Sequence, residues 1–533
     1  MSRVLISDQL AEEGLAVFSE TPSIEVEHRH GIDPDELRRI LPEYDALIIR
    51  SATKVTADLL EVADKLRVIG RAGIGVDNID LQAATARGVI VMNTPEGNAI
   101  TTAEHAIALM MSLARRIPQA DASLRAGRWE RSAFSGSELY NQILGVVGLG
   151  NIGSIVADRA RGLRMRVIAF DPLVSEERAE RLGVTLVSMN DLLERSDFIT
   201  VHVPLTKDTR GLLGAKAFEK IKPGVLIINA ARGGVVDETA LLAAIESGKV
   251  RGAALDVFEQ EPVPQDHPLL QRDEVVVTPH LGAATSQAQL NVAVAVAEQV
   301  RDYLMDGIVR NAVNLPAISP EQIDEIRPFL ALGERLGRFQ GQLARDGIEE
   351  VEVEYAGEIA EFNVQPVTLA VLKGLIEPWV GERVNYVNAP HLAQQKGIRV
   401  IESKATVPQD FVSLLTIRVR SGGRTRLIAG TLFGRTQPRV VRVDDFMLEA
   451  IPEGATLLIY NQDRPGVVGR VGGALGTAGI NIVRMQLGLH PKGHEALQLL
   501  NVDPMPSDEV VEALRALPEV ITVELVELGP KVS

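Results

Sequence analysis

Three side chains that could act together on a hydroxyl group follow strand-like segments in the middle of the chain. Arg232, Glu261 and His280 each come at or just after the end of a short apolar, β-branched run. Histidine has a pKa near neutrality and can take a hydroxyl proton, while a carboxylate on its other ring nitrogen fixes the tautomer and favours the imidazolium. Arginine can hold a substrate carboxylate through two hydrogen bonds. The set predicts the oxidation of a hydroxy acid, in which the same carbon must also lose a hydride.

A site for the hydride acceptor is indicated upstream. Gly148, Gly150 and Gly153 form a G-x-G-x-x-G pattern between the strand-like run 143–147 and a predicted helix. The first glycine permits a tight turn, the second lets the backbone approach a pyrophosphate, and the third lets helix and strand pack closely. Asp171 ends the next predicted strand, 18 residues after Gly153, where its carboxylate can accept hydrogen bonds from both ribose hydroxyls and repel a 2′-phosphate. The pattern therefore predicts NAD rather than NADP.

Strand-like runs alternate with helical patterns through the first 300 or so residues, which predicts parallel sheets with right-handed crossovers. Because such sheets present ligand-binding loops at the carboxyl ends of their strands, Arg50 and Arg71, at two early strand ends, could line an anion site with Lys54. The alternative is that these are solvated loop charges. Residues 317–450 are mixed α and β without a catalytic constellation, and the residues from 455 onward follow the ferredoxin-like order βαββαβ.

Composition excludes several classes of function. A chain of 533 residues is too long for one core, and a net charge of −16 argues against a nucleic-acid-binding protein. The absence of cysteine removes disulfides, thiolate nucleophiles and Cys-ligated zinc, and it fits a cytoplasmic protein. The start of the chain shows no signal-peptide pattern, and no uncharged apolar run is long enough to span a membrane. No metal site is expected, because Pro491 and Gly493 break any helix between His490 and His494.

Several motifs together make the chain resemble a known enzyme family. Residues 1 to about 313 resemble the D-isomer-specific 2-hydroxyacid dehydrogenases through the segments 148–153, 229–234, 255–262 and 278–282. The segments 50–55 and 70–78 narrow the resemblance to the branch that oxidises D-3-phosphoglycerate. The segments 385–390 and 463–466 match the intervening domain and the ACT domain of its long form. The resemblance therefore covers the whole chain.

This resemblance implies a fold of four parts. Two Rossmann-like domains with doubly wound parallel sheets are followed by an α+β intervening domain and a ferredoxin-like ACT domain. The expected limits are 1–98 with 285–313 for a discontinuous substrate-binding domain, 99–284 for the NAD-binding domain, 314–452 for the intervening domain and 453–533 for the regulatory ACT domain.

The resemblance also implies an activity, namely the oxidation of D-3-phosphoglycerate to 3-phosphohydroxypyruvate with NAD, the first step of L-serine biosynthesis. His280 would be the acid/base, Glu261 its partner and Arg232 the carboxylate clamp. Substrate contacts would come from Arg50, Ser51, Arg71 and Asn98. Cofactor contacts would come from Gly148, Gly150, Asn151, Ile152, Gly153, Asp171, Val203, Ala230, Ala231, Arg232, Asp256, His280, Gly282 and Ala283. Serine, as a feedback effector, would contact Asn461, Asp463 and Asn481. The family forms homo-oligomers, and a tetramer is expected.

The chain departs from the family pattern at two positions. Ile74 stands where members often have threonine, and Asn461 stands at an effector position that varies among members. Two alternatives stay open. One is a dehydrogenase for another D-2-hydroxy acid, such as hydroxypyruvate or glyoxylate, although such a chain would be expected to stop near residue 320. The other is a non-catalytic NAD-sensing protein on the same fold, which the presence of Arg232, Glu261 and His280 disfavours.

Overall fold

The computed structural model describes residues 1–316, 322–344, 346–381, 383–405 and 411–530. The chain forms two compact units. The first comprises Met1–Val55, Val62–Ile79 and Met92–Asn311, and the second comprises Thr56–Glu61, Asp80–Val91 and the residues from Ala312 onward.

A five-stranded sheet opens the chain. Its strands alternate with short helices in the order β1 (Ser2–Ile6), α1 (Glu12–Ser19), β2 (Ile24–His28), α2 (Pro34–Ile40), β3 (Ala46–Ile49), α3 (Ala57–Val62), β4 (Val68–Arg71), α4 (Leu81–Ala86) and β5 (Ile90–Asn93). The strand order is β2-β1-β3-β4-β5, and β1 pairs in parallel with both β2 and β3. Every residue of β3 and of β5 is buried, which explains why these strands are continuous apolar runs rather than alternating patterns.

A seven-stranded sheet follows. Its elements are α5 (Ala99–Arg115), α6 (Ile117–Arg125), β6 (Ile143–Val147), α7 (Asn151–Gly162), β7 (Arg166–Phe170), α8 (Glu176–Arg181), β8 (Thr185–Leu186), α9 (Met189–Arg195), β9 (Phe198–Val201), α10 (Ala215–Lys220), β10 (Val225–Asn229), α11 (Glu238–Glu246), β11 (Val250–Leu255), β12 (Val275–Val277) and α12 (Ser286–Asp306). The order β12-β11-β10-β9-β6-β7-β8 reverses at β6, which pairs in parallel with both β7 and β9. Such a switch point opens a crevice at the carboxyl ends of the strands.

Helix α12 returns to the first sheet, where it packs against α1 and β4. Glycine permits this close approach. A methyl group on Gly14 would lie 2.8 Å from the carbonyl oxygen of Ala293, and one on Gly70 would lie 2.7 Å from a methyl carbon of Val296.

The second unit contains a six-stranded sheet and two long helices. Its elements are α13 (Ile323–Leu343), β13 (Ile348–Gly357), α14 (Gln365–Val380), α15 (Ala389–Gln395), β14 (Arg399–Ala405), β15 (Ser413–Ser421), β16 (Arg424–Phe433), β17 (Gln437–Val443) and β18 (Phe446–Ala450), and the strand order is β14-β13-β15-β16-β17-β18. Helices α13 and α14 lie in close contact because small residues face one another. A methyl group on Gly337 would overlap the carbonyl oxygen of Val371, and one on Gly374 would overlap that of Glu334.

The chain ends in a four-stranded antiparallel sheet. Its elements are β19 (Ala455–Gln462), α16 (Val467–Thr477), β20 (Asn481–Leu489), β21 (Glu495–Asp503), α17 (Asp508–Arg515) and β22 (Val520–Glu527), and the sheet order is β20-β21-β19-β22. This confirms the predicted βαββαβ order, and the predicted fold class is confirmed for all four parts of the chain. The exact domain limits stay a prediction. No helix in the described ranges is long and apolar enough to cross a membrane.

Candidate active site

The glycine turn joins β6 to α7 and has the geometry of a phosphate cradle. Gly148 has a φ of 93°, and a methyl group on it would lie 2.6 Å from the carbonyl oxygen of His202. A methyl group on Gly153 would overlap the carbonyl oxygen of Gly148, so glycine is required for the close packing of helix and strand. At Gly150 an added methyl group would meet nothing within 4 Å. This open side, with the backbone N–H groups of Asn151 and its neighbour Ile152 in the first turn of α7, suits a pyrophosphate.

Asp171 follows β7 and is anchored to the same turn. One of its carboxylate oxygens accepts a hydrogen bond from the N–H of Leu149 at 2.8 Å, and the other accepts from the N–H of Leu173 at 2.9 Å. Each oxygen has a second lone pair, so the carboxylate can still accept from ribose hydroxyls. Among the other predicted cofactor residues, Val203 is half-buried after β9, and Ala230 and Ala231 are buried after β10.

Asp256, just after β11, organises the loop that follows β12. Its carboxylate accepts hydrogen bonds from the backbone N–H groups of Leu281 and Gly282, both at 2.8 Å, and from the Thr278 hydroxyl at 2.5 Å. His105 Nε2 lies 3.0 Å from the same carboxylate. Burial alone would raise the pKa of Asp256, but the hydrogen bonds from His105, Thr278 and Leu281 together lower it. The carboxylate is therefore ionised and can only accept hydrogen bonds.

His280 lies in this loop with a φ of 54°, and its Nδ1 is 2.6 Å from Glu261 Oε2. The other carboxylate oxygen of Glu261 accepts from the N–H of Phe258 at 3.1 Å. Burial raises the pKa of Glu261, but the hydrogen bonds from His280 and Phe258 outweigh it, so the pKa is lowered overall. Because an ionised carboxylate only accepts, Nδ1 carries the proton in the neutral imidazole and Nε2 is left as an acceptor. Nε2 has no hydrogen-bond partner within the described ranges.

Arg232, after β10, is already held by protein groups. Its Nε donates to Asp77 Oδ2 at 2.7 Å, and its Nη1 donates to the carbonyl oxygen of Ala231 at 2.6 Å. A methyl group on Gly75 would overlap Nη2, so the guanidinium lies against the Gly75 backbone. The ion pair with Asp77 links the loop after β4 to the loop after β10, and it leaves a side chain about a quarter exposed (28%).

Arg71, at the end of β4, is a largely buried cation in a group of positive charges. Burial, reinforced by the charges of Arg232 and Arg50 and opposed by Asp77, lowers the pKa of Arg71 to about 10. Its guanidinium makes only one long hydrogen bond, 3.4 Å to the carbonyl oxygen of Ala72, and its Nε is buried without a partner in the described part of the chain. A buried, under-satisfied guanidinium is costly unless an anion binds it.

Arg50 lies beside Asp8, which fixes the loop that follows β3. An Asp8 carboxylate oxygen accepts from the backbone N–H of Arg50 at 2.6 Å, while the Arg50 guanidinium donates to the Gln9 carbonyl oxygen at 3.3 Å. The adjacent Ser51 is exposed. Asn98 is 8% exposed, and its side-chain oxygen is buried without a partner among the described residues. Arg50, Arg71 and Arg232 are thus brought into one electrostatic neighbourhood, and Asn98 offers an unused acceptor.

The three predicted effector residues do not converge within one chain. Asn461 is 2% exposed at the end of β19, and its side chain is used internally, accepting from Gln498 Nε2 at 2.8 Å and donating to the Gln462 carbonyl oxygen at 2.7 Å. Asp463 follows in the exposed turn. Asn481 begins β20 and pairs with Asp503, at the other end of the sheet. At about 3.3 Å per residue, the two ends are about 20 Å apart.

The residues that sequence reasoning did not assign are partners of assigned ones. Asp77, His105 and Thr278 touch Arg232 or Asp256, and Asp8 holds the Arg50 loop. A signal existed for His105, because Asn98, Thr102 and His105 share one helix face at spacings of four and three. No metal site is found within the described residues: no group of three or more histidines and acidic side chains lies close enough together.

Comparison with protein families matches three successive parts of the chain. Residues 107–282 match the NAD-binding domain of D-isomer-specific 2-hydroxyacid dehydrogenases. Residues 325–444 match the D-3-phosphoglycerate dehydrogenase intervening domain, and residues 455–519 match the ACT domain.

Curated relatives extend over nearly the full length. The chain is 46% identical to a D-3-phosphoglycerate dehydrogenase of Archaeoglobus fulgidus over 99% of this chain and 100% of the relative. It is 42% identical to the enzyme of that name from Bacillus subtilis, again over 99% and 100%. Among solved structures, protein TT0316 from Thermus thermophilus shares 33% identity at a TM-score of 0.54, covering 58% of this chain and 99% of that one. D-lactate dehydrogenase from Aquifex aeolicus, complexed with NAD and lactic acid, shares 27% identity at a TM-score of 0.53, covering 59% and 100%.

Proposed function

The chain belongs to the D-3-phosphoglycerate dehydrogenase family, and from that membership we propose that it oxidises D-3-phosphoglycerate to 3-phosphohydroxypyruvate with NAD, as the first step of L-serine synthesis. It is an NAD-dependent oxidoreductase. We also propose a role for each residue of the site, and the geometry of the site supports these roles.

The buried guanidinium of Arg71 is the observation that carries the proposal for the substrate. It lies close to Arg50 and Arg232, and the electrostatic cost of this cluster of cations is relieved by a ligand with several negative charges. D-3-phosphoglycerate carries a carboxylate and a phosphate. We assign the substrate anion to Arg71 and Arg50, and we assign the carboxylate beside the reacting carbon to Arg232. We assign the unpartnered side-chain oxygen of Asn98 to a substrate hydroxyl.

His280 removes the proton from the substrate hydroxyl. Its Nε2 is the acceptor, because Nδ1–H is committed to Glu261. As the imidazolium forms, the Glu261 carboxylate stabilises the new charge through the same hydrogen bond. In the reverse reaction the imidazolium returns the proton to the keto oxygen.

The residues around the glycine turn fit NAD. The open side of Gly150 and the N-terminus of α7 suit the pyrophosphate, and the anchored Asp171 carboxylate suits a ribose diol. When bound, NAD supplies the acceptor for the hydride that leaves the substrate carbon. The protein holds the two reactants and takes the proton.

The test is the rate of NADH formation with D-3-phosphoglycerate, D-glycerate and D-lactate, for the unmodified protein and for Arg71→Gln. We expect strong preference for the phosphorylated acid, and a rise of at least about tenfold in its KM in Arg71→Gln, since a hydrogen bond to a charged group contributes about 1.5–3 kcal/mol. Arg195→Gln, a change at the exposed last residue of α9, is the matched control.

Turnover that prefers an unphosphorylated D-2-hydroxy acid would replace the proposed substrate and support the alternative dehydrogenase. A protein that binds NADH without turning over any of these acids, and whose His280→Ala variant behaves identically, would support the alternative of a non-catalytic sensor.

We propose that L-serine regulates the enzyme through the ACT domain. Because Asn461 and Asn481 lie at opposite ends of one sheet, one serine could touch both only where two ACT domains meet. A homo-oligomer, expected to be a tetramer, is therefore part of this proposal, and the cytoplasmic location stays a prediction. Serine should lower the rate and raise the melting temperature, and Asn481→Ala should abolish both effects. An enzyme whose rate and melting temperature ignore saturating serine would refute the proposal.

A further inference from the structure

One buried carboxylate joins three elements around the candidate catalytic histidine. Asp256 is 1% exposed, and its two oxygens accept from Thr278, Leu281 and Gly282 of the loop that carries His280. The N–H of His280 itself donates to the Asp256 carbonyl oxygen at 2.9 Å. The position of the loop therefore depends on where the Asp256 carboxylate is held.

His105 is the group outside the loop that holds this carboxylate. It lies on α5 at 19% exposure, and its Nε2 is 3.0 Å from Asp256 Oδ1 and 3.2 Å from the Thr278 hydroxyl. Because the ionised carboxylate cannot donate, the proton is on Nε2, and the Thr278 hydroxyl also donates to Asp256. A bond to a charged acceptor inside the protein is among the stronger hydrogen bonds.

The same face of α5 meets the loop at a second point. A methyl group on Gly282 would lie 3.3 Å from the Thr102 methyl and 3.2 Å from Asp256 Oδ2. Thr102, in turn, donates its hydroxyl to the carbonyl oxygen of Asn98, the residue before α5. One helix face thus carries a candidate substrate residue, a packing contact to the loop and the His105 bond, at positions that a helix places above one another.

We propose that His105 is a positioning residue for the reaction. Its Nε2–H donates to Asp256 and, through that carboxylate, holds the 278–282 loop in place. The loop then keeps His280 hydrogen-bonded to Glu261 and aligned with the substrate residue at the start of α5. This inference rests on the proposed function. It requires no contact of His105 with substrate or cofactor. Its effect on the rate is geometric, since a displacement of about 1 Å at a reacting group can cost about 100-fold.

The test compares three replacements of His105. In His105→Gln, the amide nitrogen can reach nearly the place of Nε2, so the bond to Asp256 is retained. In His105→Asn, the amide nitrogen stops near the place of Nδ1, and in His105→Leu there is no donor. His30→Leu, at an exposed histidine after β2, is the control. We measure kcat and KM for both substrates, and hydrogen exchange of the peptide that contains Leu281 and Gly282.

We expect kcat to fall about 10-fold or more in the Leu and Asn variants, with Gln within about threefold of the unmodified protein and KM for the phosphorylated acid changed little. We also expect exchange of the Leu281 and Gly282 amides to quicken in Leu and Asn but not in Gln. Equal behaviour of all three variants in hydrogen exchange would overturn the inference, because the donor would then not matter.

The exchange measurement does not depend on turnover, so failure of the proposed function and failure of this inference are distinguishable. If the unmodified protein turned over no D-2-hydroxy acid, the proposed function would fail, and the exchange pattern would still decide the hold on the loop. If the Leu variant did not fold, the contrast between Gln and Asn would decide. A kcat that is unchanged in both the Gln and the Asn variants would reject a positioning role for His105.

Discussion

Replacing Glu261 with glutamine removes the charge behind His280 while keeping the shape of the side chain. Two unit charges about 4 Å apart attract each other by about 4 kcal/mol at an effective dielectric of about 20 and by about 1 kcal/mol in water. The His280 and Glu261 side chains are 49% and 38% exposed, so solvent screens much of this attraction and about 1–2 kcal/mol is the expected remainder. About 1.4 kcal/mol corresponds to a tenfold change in rate.

We therefore expect the oxidation rate to fall in Glu261→Gln, because the imidazolium that forms on His280 loses its counter-charge. The fall in kcat should be about 5- to 30-fold, and larger if the amide N–H turns toward Nδ1 and reverses the tautomer.

The assay is NADH formation over a range of pH for the unmodified protein, for Glu261→Gln and for Glu259→Gln, which changes an exposed glutamate two residues earlier. The Glu259 variant should match the unmodified protein. A kcat in Glu261→Gln within about threefold of the original would refute the assignment of Glu261 as the partner of His280.

Two further predictions concern the dinucleotide-binding sheet. Burial lowers the pKa of His202 to about 4, below its usual value near 6.5. Between these two pH values, the unfolded chain therefore binds a proton that the folded protein does not bind. The free energy of unfolding should fall by at most about 3 kcal/mol as the pH drops through that window. In His202→Met, the free energy of unfolding measured with denaturant should depend less on pH in this range. The same pH dependence as in the unmodified protein would reject this role for His202. Asp171→Ala should lower kcat/KM for NAD by about tenfold or more, because charged hydrogen bonds are lost, and should raise that for NADP; retention of the original preference in cofactor titrations would contradict it.

Residues that follow strands could be predicted from the sequence more accurately than the hydrogen-bond partners of those residues. Arg232, Glu261 and His280 could be assigned because parallel strands end at one edge, so residues far apart in the chain meet there. That argument holds only for residues within a few positions of a strand end. The ion pair of Arg232 with Asp77 joins positions 155 residues apart, across two sheets, and no local pattern specifies it. Its consequence is substantial, since the proposed carboxylate clamp has its Nε committed to a carboxylate.

Helical spacing in α5 and α13 contains information about further residues of the site and the core. The helix predicted from Thr101 begins at Ala99, which places Asn98 directly before it and puts His105 two turns later on the same face. In the second unit, Phe329, Leu332, Leu336 and Phe339 follow a helical period and are buried along α13. The interior of α13 also contains Pro328 and several glycines, which lower helix propensity, and packing against α14 outweighs that preference.

The site residues divide into those that can be identified by chemistry and those that can be identified only by position. A histidine, a glutamate and an arginine at strand ends carry their roles in their residue types. Thr278 and Asp256 do not. What distinguishes them is that the Asp256 carboxylate has four donors from two elements, which fill its roughly four acceptor sites. These hydrogen bonds hold a loop in which His280 has a positive φ, and they indicate that the fold tolerates local backbone strain in order to place His280. Changes at His105 should therefore affect the rate more than the melting temperature.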